Sequence, residues 1–119
     1  MKTELLEQLE TLKSKIESLE NTEQISYEYC IVRTYSAGVF AGELVERSGK
    51  EVKMKNARRL WAWAGAASLS QLAMEGTSKP NDCKFPCEVS EVILTEAIEI
   101  LPVTEAAKKS IKSVKIWKA

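Results

Sequence analysis

Histidine is absent from the 119 residues, and aspartate occurs once, as Asp82. The first absence removes the side chain that most often serves as general base and metal ligand near neutral pH. Most hydrolase and transferase designs become hard to assemble, because no stretch pairs a plausible nucleophile with a base, and a binding protein is expected rather than an enzyme. No run approaches the roughly 20 apolar residues of a membrane span. The beginning of the sequence is Glu-rich and heptad-patterned, where a secretory signal would be basic and then apolar. A cytoplasmic address without a membrane partner is the expectation. Cysteine is scarce and odd in number, with Cys30, Cys83 and Cys87, which fits reduced thiols better than a disulfide framework. Cys30 reads as core. Cys83 and Cys87 have a C-x-x-x-C spacing, but a structural zinc site wants four ligands, and without histidine only Cys30 and carboxylates remain to complete it. No metal and no cofactor are expected.

What is present points to one modest core: 45% of residues are hydrophobic and 29% charged, ordinary for a globular domain of this length. The formal charge sums to zero, yet the two ends differ. Residues 1–23 hold six Glu against three Lys, whereas residues 104–119 hold five Lys against one Glu. That asymmetry favours contact between opposite ends of neighbouring copies and gives only a weak reason to expect nucleic acid.

The spacing of Leu5, Leu9, Leu12, Ile16 and Leu19 alternates four and three, the seam of a coiled coil. The sequence therefore predicts an N-terminal oligomerisation helix over 1–23 and a homo-oligomer of open copy number. With fewer than three heptads such a helix is marginal alone. Residues 24–119 are expected to form an α+β domain, so the predicted fold class is α+β: a coiled-coil-type helix, then a small antiparallel sheet with one or two short helices.

Within that domain Ile25–Tyr35, Val39–Arg47 and Glu51–Lys55 read as a three-stranded meander with turns at Ser36-Ala37-Gly38 and Ser48-Gly49-Lys50. Gly42 inside the second strand suggests a bulge or a close backbone approach. Asn56–Trp63 reads as a fourth strand, with Arg59, Trp61 and Trp63 on one face and Arg58, Leu60 and Ala62 on the other. Ser68-Leu-Ser-Gln71 fits a capping box opening a helix over Leu69–Glu75, with Gly76 at its end. Thr77–Glu88, carrying Pro80 and Pro86, is a long loop. Glu91–Val103 is apolar on both faces, suited to a central strand or two short ones. Thr104 is the N-cap of a Lys-rich amphipathic helix whose apolar stripe is Ala107, Ile111 and Val114.

The residues with ligand-reading chemistry gather in Arg58-Arg-Leu-Trp-Ala-Trp63. A tryptophan stacks a planar group, and a guanidinium grips a phosphate or carboxylate in bidentate fashion. Arg33 and Tyr35, of like parity in the first strand, extend the same surface. Arg33, Tyr35, Arg58, Arg59, Trp61 and Trp63 are therefore the candidate ligand-binding residues, with Arg59 favoured over Arg58. Each type also has a structural use: tryptophans fill cores and interfaces, and arginines pair with neighbours such as Glu43 or Glu46. The Lys-rich helix face is most simply a solvated one, and nucleic acid is not expected as a partner.

Three stretches carry a resemblance: Tyr29-Cys-Ile-Val-Arg-Thr-Tyr-Ser-Ala-Gly-Val-Phe-Ala-Gly42, Ala57-Arg-Arg-Leu-Trp-Ala-Trp-Ala-Gly-Ala-Ala-Ser-Leu69 and Val92-Ile-Leu-Thr-Glu-Ala-Ile-Glu-Ile100. The chain resembles, over about residues 27–117, a family of small bacteriophage and prophage proteins that carry a domain of unknown function. The resemblance implies a phage setting and a host-cytoplasm address. Small phage proteins commonly bind a host protein, sequester a nucleotide signal or decorate the virion. The expected function is an oligomeric accessory binding protein, in its most concrete form a counter-defence factor that captures an anionic nucleotide-like signal or a host immune protein. A virion decoration component and a nucleic-acid-binding regulator are the alternatives.

Overall fold

The computed structural model describes residues 28–119. Five strands and two helices follow one another as β1 (Tyr29–Thr34), β2 (Val39–Ser48), β3 (Glu51–Arg59), α1 (Leu69–Glu75), a 3-10 turn at Pro80–Asp82, β4 (Val89–Leu94), β5 (Ala97–Pro102) and α2 (Glu105–Ser113). All strand pairs are antiparallel, in the order β4-β3-β2-β1-β5.

This corrects the expected architecture. The described residues form a five-stranded antiparallel sheet with two short helices, and no N-terminal coiled-coil helix belongs to it. The seam Leu5, Leu9, Leu12, Ile16 and Leu19 and the 1–23 oligomerisation segment lie outside the described residues. Helices of fewer than three heptads take their stability from tertiary contacts, so heptad spacing by itself does not add such a helix to a fold. The strands themselves supply most of the apolar surface here.

Strand order dictates curvature. In a flat sheet, four inter-strand steps of about 4.8 Å would put β4 and β5 roughly 19 Å apart. Only Thr95 and Glu96 join them, and the three Cα–Cα steps from Leu94 to Ala97 reach about 11 Å at most. The sheet must therefore curl until its two edges approach, giving a barrel left open along β4 and β5. The peptide N–H of Ala97 donates to Lys50 O at 3.0 Å, tying the β4–β5 turn to the β2–β3 turn. Two apolar clusters result. Val32, Phe40, Val52, Met54, Ala57 and Leu94 all come from strands and fill the concave side of the curl. Tyr29, Ile31, Ala41 and Leu60 face outward onto Leu72 and Ala73 of α1, Ile111 of α2 and the following Val114, with Phe85 from the long loop among them.

The expected third strand and the start of the expected fourth are one continuous strand, β3, interrupted by a bulge. Register shifts between Ala41 and Glu43, and Asn56 opposite them adopts φ 49. Gly42 is required at this point, because a Cβ there would stand 2.6 Å from Ala57 Cα. The bulge resets the strand's parity: Met54 and Ala57, an odd number of residues apart, both enter the concave core, and the next residue, Arg58, is delivered to the helix side. The two-sided apolar stretch 91–103 divides into β4 and β5, which are the two edges of the sheet and not its centre. Both helices begin as their caps predict. Ser68 Oγ accepts from Gln71 N at 3.2 Å, and Gln71 Oε1 accepts from Ala67 N at 2.7 Å. Thr104 Oγ1 accepts from Ala107 N at 3.1 Å and donates to Met74 O at 2.8 Å, which joins α2 to the end of α1. Among the described residues no helix is long and apolar enough to cross a membrane.

Candidate functional site

Beyond Arg59 the chain leaves the sheet but not its hydrogen bonding. Leu60 N donates to Val39 O at 2.8 Å, and Trp61 N donates to Lys84 O at 3.1 Å. This extension runs beside the β1–β2 turn, and between the two lies an open cleft of about 550 Å³, lined by Ser36, Ala37, Gly38, Val39, Arg59, Leu60, Trp61 and Trp63. The volume falls in the range of small-molecule sites. The floor is apolar. Leu60 is buried, and Val39 and Trp63 pack against the helix-covered core. At one wall the Arg59 guanidinium lies over the Phe40 ring, 4.7 Å from its centroid. That contact fixes the guanidinium while leaving its N–H edges free to grip an anion.

Arg58 is used differently. Its side chain is 3% exposed, and its donors go to four backbone carbonyls: Nε to Pro86 at 3.1 Å, Nη1 to Ile111 and Val114 at 3.0 Å each, and Nη2 to Phe85 at 2.6 Å. Two of these acceptors are carbonyls at the C-terminal end of α2, where unpaired C=O groups concentrate partial negative charge. Burial lowers the pKa of this guanidinium, and nearby Tyr29, Glu88 and Cys87 oppose that shift. With four of its five N–H donors engaged and its surface covered, Arg58 is an internal strut that holds the long loop and α2 against the sheet. Neither Glu43 nor Glu46 pairs with either arginine among the described residues. Glu43 instead accepts from Asn56 Nδ2 at 3.4 Å.

The other predicted site residues disperse. Arg33 pairs with Glu99 of β5 through Nε at 3.3 Å, both side chains well exposed. Tyr35, 79% exposed, projects from the β1–β2 turn without lining the cleft. The structure thus gathers Arg59, Trp61 and Trp63 in one place and leaves Arg33, Tyr35 and Arg58 outside it.

One partner was not anticipated. Trp117, beyond the end of α2, stacks on Trp61 with ring centroids 6.2 Å apart and planes 16° from parallel. A short ribbon builds this pair. Ala62 bridges Lys84, Phe85 bridges Ile116 in parallel, and Trp117 N donates to Phe85 O at 3.0 Å. Lys84, between the two tryptophans in the ribbon, holds its ammonium 5.6 Å from the Trp117 ring centroid. Both rings remain open to solvent, Trp61 at 62% and Trp117 at 44%. The signal available in the sequence was a tryptophan placed past the last buried residue of a helix, where no core needs one.

The cysteines form no site together. Cys30 is buried, and its thiol is pushed up to about 11, first by burial and then by Glu28. Cys83 is buried in contact with the Ala64 and Lys79 backbone and Thr77 Oγ1, each at 3.5 Å, while Cys87 is exposed. No group of three or more candidate metal ligands occurs among the described residues.

No curated protein and no solved structure matches the chain. A family model for a domain of unknown function, DUF6948, matches residues 27–111. That span contains the whole sheet, the cleft and Arg58 with its loop, so the chain belongs to the DUF6948 family.

Proposed function

We propose that this protein is a non-enzymatic binding protein of phage origin, acting in the host cytoplasm, and that the Arg59 cleft captures an anionic, planar, nucleotide-like ligand. One observation carries this reading: Arg59 stands in an open cleft beside two tryptophans with no carboxylate within reach among the described residues. A cation so placed costs little to hold in water and gains most when an anion arrives with a flat group for the indoles. The phage setting rests on the resemblance of Tyr29–Gly42, Ala57–Leu69 and Val92–Ile100 to phage and prophage proteins. Capture of a host immune signal is the form of counter-defence that such a cleft serves, and association between copies of the chain is part of the proposal.

Isothermal titration of the protein against a panel of mononucleotides and cyclic oligonucleotides tests it. At least one member should bind, and Arg59→Ala should weaken that binding about tenfold or more, the scale of a lost charge-assisted contact. Absence of heat with every member, or equal affinity in the variant, overturns the reading. The competing reading, a virion decoration component, draws on the exposure of Trp61, Trp117 and Ile116 as assembly contacts. Mass spectrometry of purified particles separates the two, since a decoration protein is found in them and a captor of host signals is not.

A further inference from the structure

Trp61 has two roles in the geometry. It lines the Arg59 cleft, and it stacks on Trp117 outside that cleft. Stacking with planes 16° apart engages one face of the Trp61 indole, yet the residue is still 62% exposed. Cleft and tryptophan pair therefore form one continuous surface with Trp61 at the junction. Its charge is of one sign. Arg59 lies at one end, Lys84 lies over Trp117 at the other, and neither has a carboxylate within 4 Å among the described residues. Lys115 and Lys118 flank Ile116-Trp117 in sequence.

Exposed indoles cost free energy in water, and a pair held by a purpose-built ribbon is not a by-product of core packing. Aromatic planes interleaved with unpaired cations suit a strand of bases joined by phosphates. Each base has a π-face to stack, and each linkage carries a charge. An acidic protein segment would satisfy the cations but offers few flat groups for two indoles, and an apolar protein surface would leave Arg59 and Lys84 buried without partners.

Resting on the reading of the Arg59 cleft given above, we propose that the Trp61–Trp117 pair with Lys84 is a second, base-stacking subsite, so that the ligand is an oligonucleotide of at least two nucleotides. One phosphate meets Arg59, and the neighbouring base lies on the tryptophan pair beside Lys84.

The test titrates the full chain with adenosine monophosphate, a linear diadenylate, cyclic diadenylate and a single-stranded decamer of deoxyadenylate, following heat and tryptophan emission. The variants are Arg59→Ala, Trp117→Leu and Trp117→Phe. The linear or cyclic dinucleotide should bind about tenfold or more tighter than the monophosphate, the scale of one stacked base, and should quench tryptophan emission. Trp117→Leu should remove that advantage while leaving the monophosphate affinity unchanged, and Trp117→Phe, which keeps an aromatic plane, should restore most of it. Thermal midpoints within a few degrees of the parent establish that each variant folds, and if Trp117→Leu does not fold, Lys84→Gln, which removes the cation over Trp117, carries the test by weakening the dinucleotide and not the monophosphate. The source of the ligand follows from which arm binds best: cyclic over linear marks a signal molecule, and the decamer over both marks single-stranded nucleic acid. Monophosphate and dinucleotide binding alike, with Trp117 variants moving neither, overturns the second subsite and leaves the Arg59 cleft standing. Dinucleotide binding that depends on Trp117 but not on Arg59 supports the stacking subsite and overturns the cleft reading. No binding by any of the four probes overturns both.

Discussion

Arg58 and Arg59 are neighbours in one strand, and they live in opposite worlds. Around Arg58 the molecule is closed: sheet, long loop and α2 meet on it, and four of its five N–H donors find backbone carbonyls with no carboxylate partner. Around Arg59 it is open: a guanidinium rests on Phe40 at the edge of a cleft, facing solvent. A buried charge is tolerable only when its hydrogen-bonding capacity is met, and then it costs heavily to remove. An exposed charge contributes little to folding and stays available for a partner. The difference lies entirely in which face the strand presents, and the bulge at Gly42 and Asn56 sets that face.

The largest effect that can break this contrast is the loss of Arg58. Arg58→Met keeps the aliphatic stem but leaves the carbonyls of Pro86 and Val114 without a donor, and those of Phe85 and Ile111 with only the Trp117 and Val114 N–H groups. Each buried group so orphaned costs on the order of 1–3 kcal/mol, and a total of roughly 3 kcal/mol or more is expected. For a domain of this size that lowers the thermal midpoint by about 15 °C or more, measured by circular dichroism. Arg58→Lys should recover little, since an ammonium cannot reproduce the planar fork. A variant within about 1 kcal/mol of the parent would show that Arg58 is not a strut.

The same closed region should fail at alkaline pH. The Cys30 thiol is held near 11 by burial and by Glu28, against an ordinary value of 9.0. Because the folded state keeps its proton more strongly, the associated stability is fully present below about pH 9 and is lost as pH rises toward 11. The loss is on the order of 2–3 kcal/mol. The Tyr29 phenol acts in the same direction at higher pH: burial raises it first and Glu88 adds to that, Arg58 opposes, and Glu43 raises it further. Urea midpoints collected from pH 8 to 11 should fall steadily in the parent and less steeply in Cys30→Ala. Tyr29→Phe should be close to neutral at pH 7, because the hydroxyl it removes is buried without a hydrogen-bond partner among the described residues. A flat pH profile in the parent would mean that these groups are wetter than their burial implies.

Much of the contrast was legible from residue order. Alternation placed β1 and β2, Gly42 marked the bulge, the Ser68 and Thr104 caps marked both helices, and parity separated Arg58 from Arg59 with Trp61 and Trp63. What could not be read is non-local. The curl follows from strand order, which a sequence does not display. The four acceptors of Arg58 come from the long loop and the end of α2, brought together only by the fold. Trp117 meets Trp61 through a ribbon of single bridges too short to leave a strand-like period. The heptad seam is a clear local pattern that lies outside the described residues, and local pattern alone does not establish a packing partner.

Arg33 provides the finest test, because it resembles Arg59 in exposure and differs in having an acidic neighbour. Its pair with Glu99 bridges β1 and β5 between exposed side chains, where solvent screens the attraction and ordering two long side chains opposes it. Arg33→Ala should therefore cost at most about 1 kcal/mol. Arg59→Ala, which loses a cation–π contact with Phe40 at a solvent-exposed wall, should cost a similar amount. If stability were all that distinguished arginines in this protein, the two variants would be equivalent in every assay. The cleft geometry says otherwise: with matched thermal midpoints, only Arg59→Ala should lose affinity for the dinucleotide probes. Equal loss from Arg33→Ala would extend the binding surface across β1 to β5 and erase the distinction between a paired surface cation and one left open for a ligand.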